Sequence, residues 1–129
     1  LVSVAKETKM KITNKAMQDA EEQYETNIIK TLQTIRQLNE DVHIYIIGFY
    51  NPLAHVFAVN EQVNSLISTW NEITKKHTAT INDAYFVPID DLFSQALDQF
   101  LAEDDFHPNH LGYQYITKRL LQYLDKGEI

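Results

Sequence analysis

The chain contains no cysteine among its 129 residues, which excludes a disulfide framework and any thiol chemistry. It also contains no apolar run close to the roughly 20 residues that a membrane-spanning helix requires. Basic residues are few, since 11 lysines and arginines stand against 18 aspartates and glutamates for a net charge of -7. This charge argues against nucleic acid or anionic lipid as a partner, because both require a basic surface.

What is present is the composition of an ordinary globular protein. Hydrophobic residues make up 44% of the chain and charged residues 22%. A length of 129 residues accommodates one domain at most. The chain shows no internal repeat, linker or low-complexity segment.

Two short apolar runs are typical of buried parallel strands. Residues 42–47 are nearly all apolar and precede Gly48, and residues 84–89 form a second run that includes Pro88. Amphipathic segments flank these runs and predict helices over about residues 11–39, 60–77, 92–97 and 109–124. Helices that alternate with strands imply an α/β fold with a parallel sheet.

The spacing of apolar and polar residues predicts how the helices are buried and capped. Apolar residues mark the buried face of the first helix at Met17, Ala20, Tyr24, Ile28, Leu32, Ile35 and Leu38. Those of the last helix are Tyr113, Ile116, Leu120, Tyr123 and Leu124. Asp90 and Asp91 are expected to cap the helix over 92–97, and Asn109 the last helix.

One stretch near the C-terminus carries the residue types that acid–base catalysis requires. It reads Asp104-Asp105-Phe106-His107-Pro108-Asn109-His110-Leu111-Gly112-Tyr113. A catalytic imidazole needs a carboxylate that holds its tautomer and stabilises its charged form, and two acids lie just before His107. Proline disfavours helical geometry in the residue before it, so we expect His107 in an extended loop.

This block, D-x-x-H-P-N-x-x-G-Y, resembles the C-terminal signature of the GDSL, or SGNH, ester hydrolases. Residues 44–52 and 86–93 are similar to the late strands of the lipase-like members. The resemblance implies a flavodoxin-like three-layer α/β/α sandwich with a parallel sheet. It also implies a serine esterase or acylhydrolase that uses no cofactor or metal and acts on a small-molecule ester or lipid. In such an enzyme Asp104 would be the orienting acid and His107 the general base. Position favours Asp104 over Asp105, because the family's acid precedes its histidine by three residues.

The chain departs from the family pattern because it has no G-D-S block for the nucleophile and no G-x-N-D block for the oxyanion-hole asparagine. Residues 1–129 are therefore interpreted as the C-terminal portion of a single SGNH hydrolase domain, inactive alone. Two strands form a poor sheet, so we expect the missing N-terminal half or a second copy of the chain as partner. Extracytoplasmic, membrane-anchored and cytoplasmic locations are all compatible with the resemblance.

Tyr50, Asn51 and His55 follow the first predicted strand, at the sheet edge where α/β proteins bind substrate. They are candidate substrate-lining residues, although such a loop is often purely structural.

Two alternatives to the hydrolase stay open. The aspartates and histidines from 104 to 110 are metal-ligand types, although no second cluster supplies further ligands. The chain could also be a non-catalytic α/β interaction module in which these side chains cap and solvate.

Overall fold

The computed structural model describes residues 13–56 and 60–127. Their elements are α1 (Asn14–Leu38), β1 (Ile44–Ile47), α2 (Asn60–Thr78), β2 (Ala84–Val87), α3 (Asp90–Phe100) and α4 (His110–Gly127). The strands pair in parallel, with Ile44 opposite Ala84. The predicted α/β class with a parallel sheet is confirmed, and the arrangement is consistent with an SGNH-like fold. Within these two stretches, no helix has the length and apolarity needed to cross a membrane.

Helix α1 packs on the sheet through the middle of its apolar face. Thr13 caps its first turn, accepting a hydrogen bond from Ala16 N at 3.1 Å. Ile28 and Leu32 are buried with Ile44 in one core cluster. The prediction that Leu38 faces inward is wrong, because this last residue of α1 lies past the core contacts and is 82% exposed.

Strand β1 is followed by Gly48, where the backbone lies close to Phe86 of β2 and to Asn71 of α2. A Cβ atom at this position would lie 2.7 Å from the Phe86 ring and 3.0 Å from Asn71 Oδ1, so a larger residue would force movement. Asn71 binds the next residue twice, because its Oδ1 accepts from Phe49 N at 2.8 Å and its Nδ2 donates to Phe49 O at 3.1 Å. The chain leaving β1 is therefore fixed to α2.

Helix α3 is longer than predicted and begins without a side-chain cap. It spans Asp90–Phe100, with non-helical backbone at Ala96, and its N-cap is Ile89. The prediction that Asp90 and Asp91 cap this helix is therefore wrong, since both lie in its first turn. The preceding strand stops at Val87 rather than at residue 89, because the proline that follows cannot donate to the strand ladder.

The Asp91 carboxylate instead joins α3 to α4. Arg119 donates to its two oxygens at 2.9 and 2.8 Å, and also to Pro88 O at 2.8 Å. These side-chain hydrogen bonds lower the pKa of Asp91 below its ordinary value of 3.8.

We expect Asp91→Asn to lower stability in a pH-dependent way. Because the folded-state pKa is depressed, the stabilisation is present above the ordinary value and is lost as the pH falls through the folded-state pKa. Asp91 is half exposed, so solvent screening limits the loss at neutral pH to about 1 kcal/mol. Urea midpoints of variant and parent should therefore converge in acid. Asp98→Asn on the same helix is the control, and an equal loss there would contradict the assignment.

Helix α4 turns a face inward that differs slightly from the predicted one. Gly112 is buried and Ile116 packs against the cluster around Phe93 and Phe100. Because Gly112 and Ile116 lie one turn apart on this face, the neighbouring Tyr113 points away from the core and is 54% exposed. The prediction that Tyr113 faces inward is wrong.

Candidate active site

The loop of residues 101–109, between α3 and α4, carries the predicted acid and base. Ala102 N donates to His107 O at 2.7 Å, and Asn109 N donates to Phe100 O at 2.7 Å. These bonds close the base of the loop, so its two ends are held together beside the core.

Asn109 caps α4, as the sequence predicted. Its Oδ1 accepts a hydrogen bond from Gly112 N at 2.8 Å, and its Nδ2 donates to Gln99 O at 2.7 Å and Leu101 O at 3.2 Å. A Cβ atom at Gly112 would lie 2.6 Å from Phe100 O, so this close approach of helix and loop requires glycine.

Asp104 and His107 are in direct contact within this loop. Asp104 Oδ2 lies 2.5 Å from His107 Nδ1, and Asp104 Oδ1 accepts hydrogen bonds from the backbone N–H groups of Phe106 and His107, each at 3.0 Å. The bond to the imidazole, followed by the two backbone bonds, lowers the pKa of Asp104 to about 2. The carboxylate is therefore ionised above that pH and only accepts hydrogen bonds.

This contact determines how the imidazole is presented. An ionised carboxylate beside Nδ1 holds the proton of a neutral ring on that atom, which leaves Nε2 with a free lone pair. The side chains of His107 and Asp104 are 66% and 49% exposed, so the pair is open to an incoming group.

Asp105, the alternative acid, has a different position. Its φ of 55° is left-handed, and its N–H donates to Ala102 O at 3.0 Å. The geometry thus favours Asp104 over Asp105 as the partner of the imidazole.

Tyr50 reaches the same loop from the end of β1. Its hydroxyl donates to Phe106 O at 2.5 Å, and its ring stacks on Phe93 with centroids 4.1 Å apart. Burial raises the pKa of Tyr50 to about 12, and the nearby Tyr113 and Asp104 act in the same direction. The hydroxyl therefore keeps its proton and remains a donor.

Asn51 and His55, the other two candidates on this loop, are placed differently. Asn51 is buried, with Nδ2 donating to Asn60 at 3.2 Å and Asn64 at 2.6 Å and Oδ1 accepting from Leu53 N at 2.8 Å. Its polar atoms thus fold its own loop and join that loop to α2. His55 is exposed and borders a shallow groove beside the second half of α3.

The suggested metal cluster does not assemble in residues 13–56 and 60–127, where no three or more histidine, aspartate or glutamate side chains converge to hold an ion. Asp104 and His107 bind each other, and His110 Nε2 contacts Gln114 Nε2 at 3.2 Å.

Two contributors to the site were missed from the sequence. One is Asn71, which holds the residue before Tyr50, and the other is the carbonyl oxygen of Phe106. Gly48 was the available signal, because a glycine at a strand end indicates close backbone approach. It does not indicate which distant side chain makes that approach.

Comparison with known proteins gives the family. Residues 13–115 match the GDSL-like lipase/acylhydrolase family. An uncharacterized protein of Bacillus subtilis (strain 168), YpmR, is 33% identical over 128 residues. That similarity covers 98% of this chain and 50% of the Bacillus protein, so the chain spans about half the length of this relative. The family match includes both strands and the Asp104–His107 pair, and the chain belongs to the GDSL-like lipase/acylhydrolase family.

Proposed function

We propose that this chain supplies the acid–base pair of a serine ester hydrolase. Membership of the family supports hydrolase chemistry. The observation that carries the assignment of roles is the 2.5 Å contact between Asp104 Oδ2 and His107 Nδ1, with Nε2 left as the proton acceptor. His107 is the general base and Asp104 the orienting acid.

The reaction proceeds in two acyl-transfer steps. His107 Nε2 accepts the serine proton as the serine oxygen attacks the ester carbonyl, and then delivers that proton to the departing alcohol oxygen. A water molecule next gives a proton to Nε2 and attacks the acyl-serine, and Nε2 returns this proton to the departing serine oxygen, which releases the acid and restores the serine hydroxyl. In both steps the Asp104 carboxylate stabilises the transient imidazolium.

We infer that the serine and the oxyanion-hole asparagine lie in an N-terminal portion of the same domain, so that residues 1–129 are its C-terminal portion. The chain has no G-D-S or G-x-N-D block, and YpmR is about twice as long as the matched region. The described serines are exposed on helices, at Ser65, Ser68 and Ser94. None of the three lies in a nucleophile motif.

The proposed partner of this chain is that N-terminal portion, with a second copy as the alternative. In the described part of the chain the sheet has two strands, whereas three or more are generally needed for independent stability. Ile47 and Phe49, at the end of β1, are 42% and 37% exposed. A further strand beside β1 would cover such apolar surface. The substrate class is a small-molecule ester or a lipid.

Labelling with a fluorophosphonate probe tests the proposal, because the probe reacts with an activated serine. We expect rapid, stoichiometric labelling and ester turnover by the full-length protein, meaning this chain together with the proposed N-terminal portion. The chain alone is the control and should remain unlabelled. A folded full-length protein that resists the probe and hydrolyses no ester would contradict the proposal and favour the non-catalytic interaction module.

A further inference from the structure

We propose that Tyr50 is a positioning residue that ties the acid–base loop to the sheet through the carbonyl oxygen of Phe106. Its effect on catalysis rests on the proposed function, whereas its effect on loop order does not. The sequence suggested a substrate-lining role for this side chain, and the observed hydroxyl bond points to a different one.

The argument begins with a single peptide unit. The carbonyl of Phe106 and the N–H of His107 belong to the same planar, rigid group. Tyr50 donates to the carbonyl at 2.5 Å, and Asp104 Oδ1 accepts from the N–H at 3.0 Å. This peptide is therefore held at both ends, which fixes the direction in which the His107 side chain leaves the backbone.

The hydrogen bond from the Tyr50 hydroxyl to Phe106 O, called the tether below, comes from outside the loop, unlike the other hydrogen bonds described for this loop. Those bonds begin and end within residues 99–113, so they give the loop its internal shape. Tyr50 comes from the end of β1, 56 residues before Phe106. Its hydroxyl thus fixes the loop relative to the sheet edge, where a substrate loop of an α/β protein lies.

Tyr50 is itself rigidly mounted. The residue before it is held to α2 by both amide atoms of Asn71, and the residue after it is buried in an asparagine network. The ring of Tyr50 stacks on Phe93, whose side chain is fully buried. Because Tyr50 is held by these contacts, the hydrogen bond from its hydroxyl limits the motion of the loop.

The test is Tyr50→Phe in the full-length protein, which removes the hydroxyl and keeps the ring stacked on Phe93. We expect kcat to fall about tenfold with KM unchanged, because the loss of one hydrogen bond leaves the base imperfectly oriented. Tyr85→Phe is the matched control, since it removes a tyrosine hydroxyl from β2 while the Tyr85 ring can remain stacked on Tyr45. A rise in KM at constant kcat would indicate that Tyr50 lines the substrate site, and it would overturn the positioning role.

A second measurement does not depend on activity. Hydrogen exchange at the amides of Phe106 and His107 should accelerate about fivefold in Tyr50→Phe and remain unchanged in Tyr85→Phe, because untethered loops open more often. Unchanged exchange in Tyr50→Phe would overturn the inference even in an active enzyme. Full activity in His107→Ala would overturn the proposed function instead. The exchange data would still show whether the Tyr50 hydroxyl restrains the loop.

Discussion

Replacement of His107 by alanine should reduce kcat of the full-length protein by about 10⁴-fold or more, because the general base of a serine hydrolase acts as a unit with its nucleophile. Without Nε2 as proton acceptor, the serine hydroxyl remains a weak nucleophile at neutral pH. We expect the KM of the remaining activity to change little, since an imidazole that handles protons contributes little to ground-state binding.

The loss should not come from unfolding. The His107 side chain is 66% exposed, so its removal leaves no buried cavity. Its backbone N–H and carbonyl, which hold the loop, are retained in alanine. Matching urea transitions for variant and parent would establish this point.

His110→Ala is the matched control for this variant. His110 is exposed in the first turn of α4 and lies three residues after His107 in the same block. Its observed contact is with Gln114, one turn along the same helix, rather than with the acid. An equal loss of turnover in the two variants would contradict the assignment of His107 as base.

The sequence was informative about this pair because the contact is local. His107 lies three positions after Asp104, and a short acidic side chain readily accepts hydrogen bonds from backbone N–H groups two and three positions ahead. The cap at Asn109 was predictable for the same reason, since it also bonds an N–H three residues ahead. Both features depend on local turn chemistry more than on the rest of the fold.

The errors concern features that only the tertiary structure determines. Asp91 has the residue type and the position of a helix cap, yet Arg119, 28 residues further along the chain, donates to both of its carboxylate oxygens. Tyr113 fits an apolar helical pattern, yet Gly112 allows the helix to approach Phe100 so closely that the inward face shifts by one residue. The substrate-lining role of Tyr50 stays a prediction, but its hydrogen-bond partner also lies outside the reach of local patterns, 56 residues further along. Periodicity gives the face of an element and not the atoms opposite it.

Exchange of Asp104 for asparagine should lower kcat by about 10³–10⁴-fold while leaving the loop folded, because it reverses the tautomer of the imidazole. The amide oxygen can still accept from the N–H groups of Phe106 and His107. The amide nitrogen is a donor, however, and in place of Oδ2 it would face Nδ1 and favour a lone pair there. The ring proton would then reside on Nε2, where the serine proton has to be received.

Asp105→Asn is the matched control, since it removes the same charge one residue away. Asparagine tolerates the left-handed φ of 55° that this position requires, so we expect kcat within about twofold of the parent. The pKa of Asp104 is depressed from 3.8 to about 2, so its carboxylate stays ionised until the pH approaches that value. The parent should therefore keep its Asp104–His107 contact throughout the pH range of an ordinary esterase assay, and the comparison of kcat at neutral pH reports the tautomer alone. Equal losses in the two variants would show that charge near the loop, rather than the bond to Nδ1, supports turnover, and would contradict the role of Asp104.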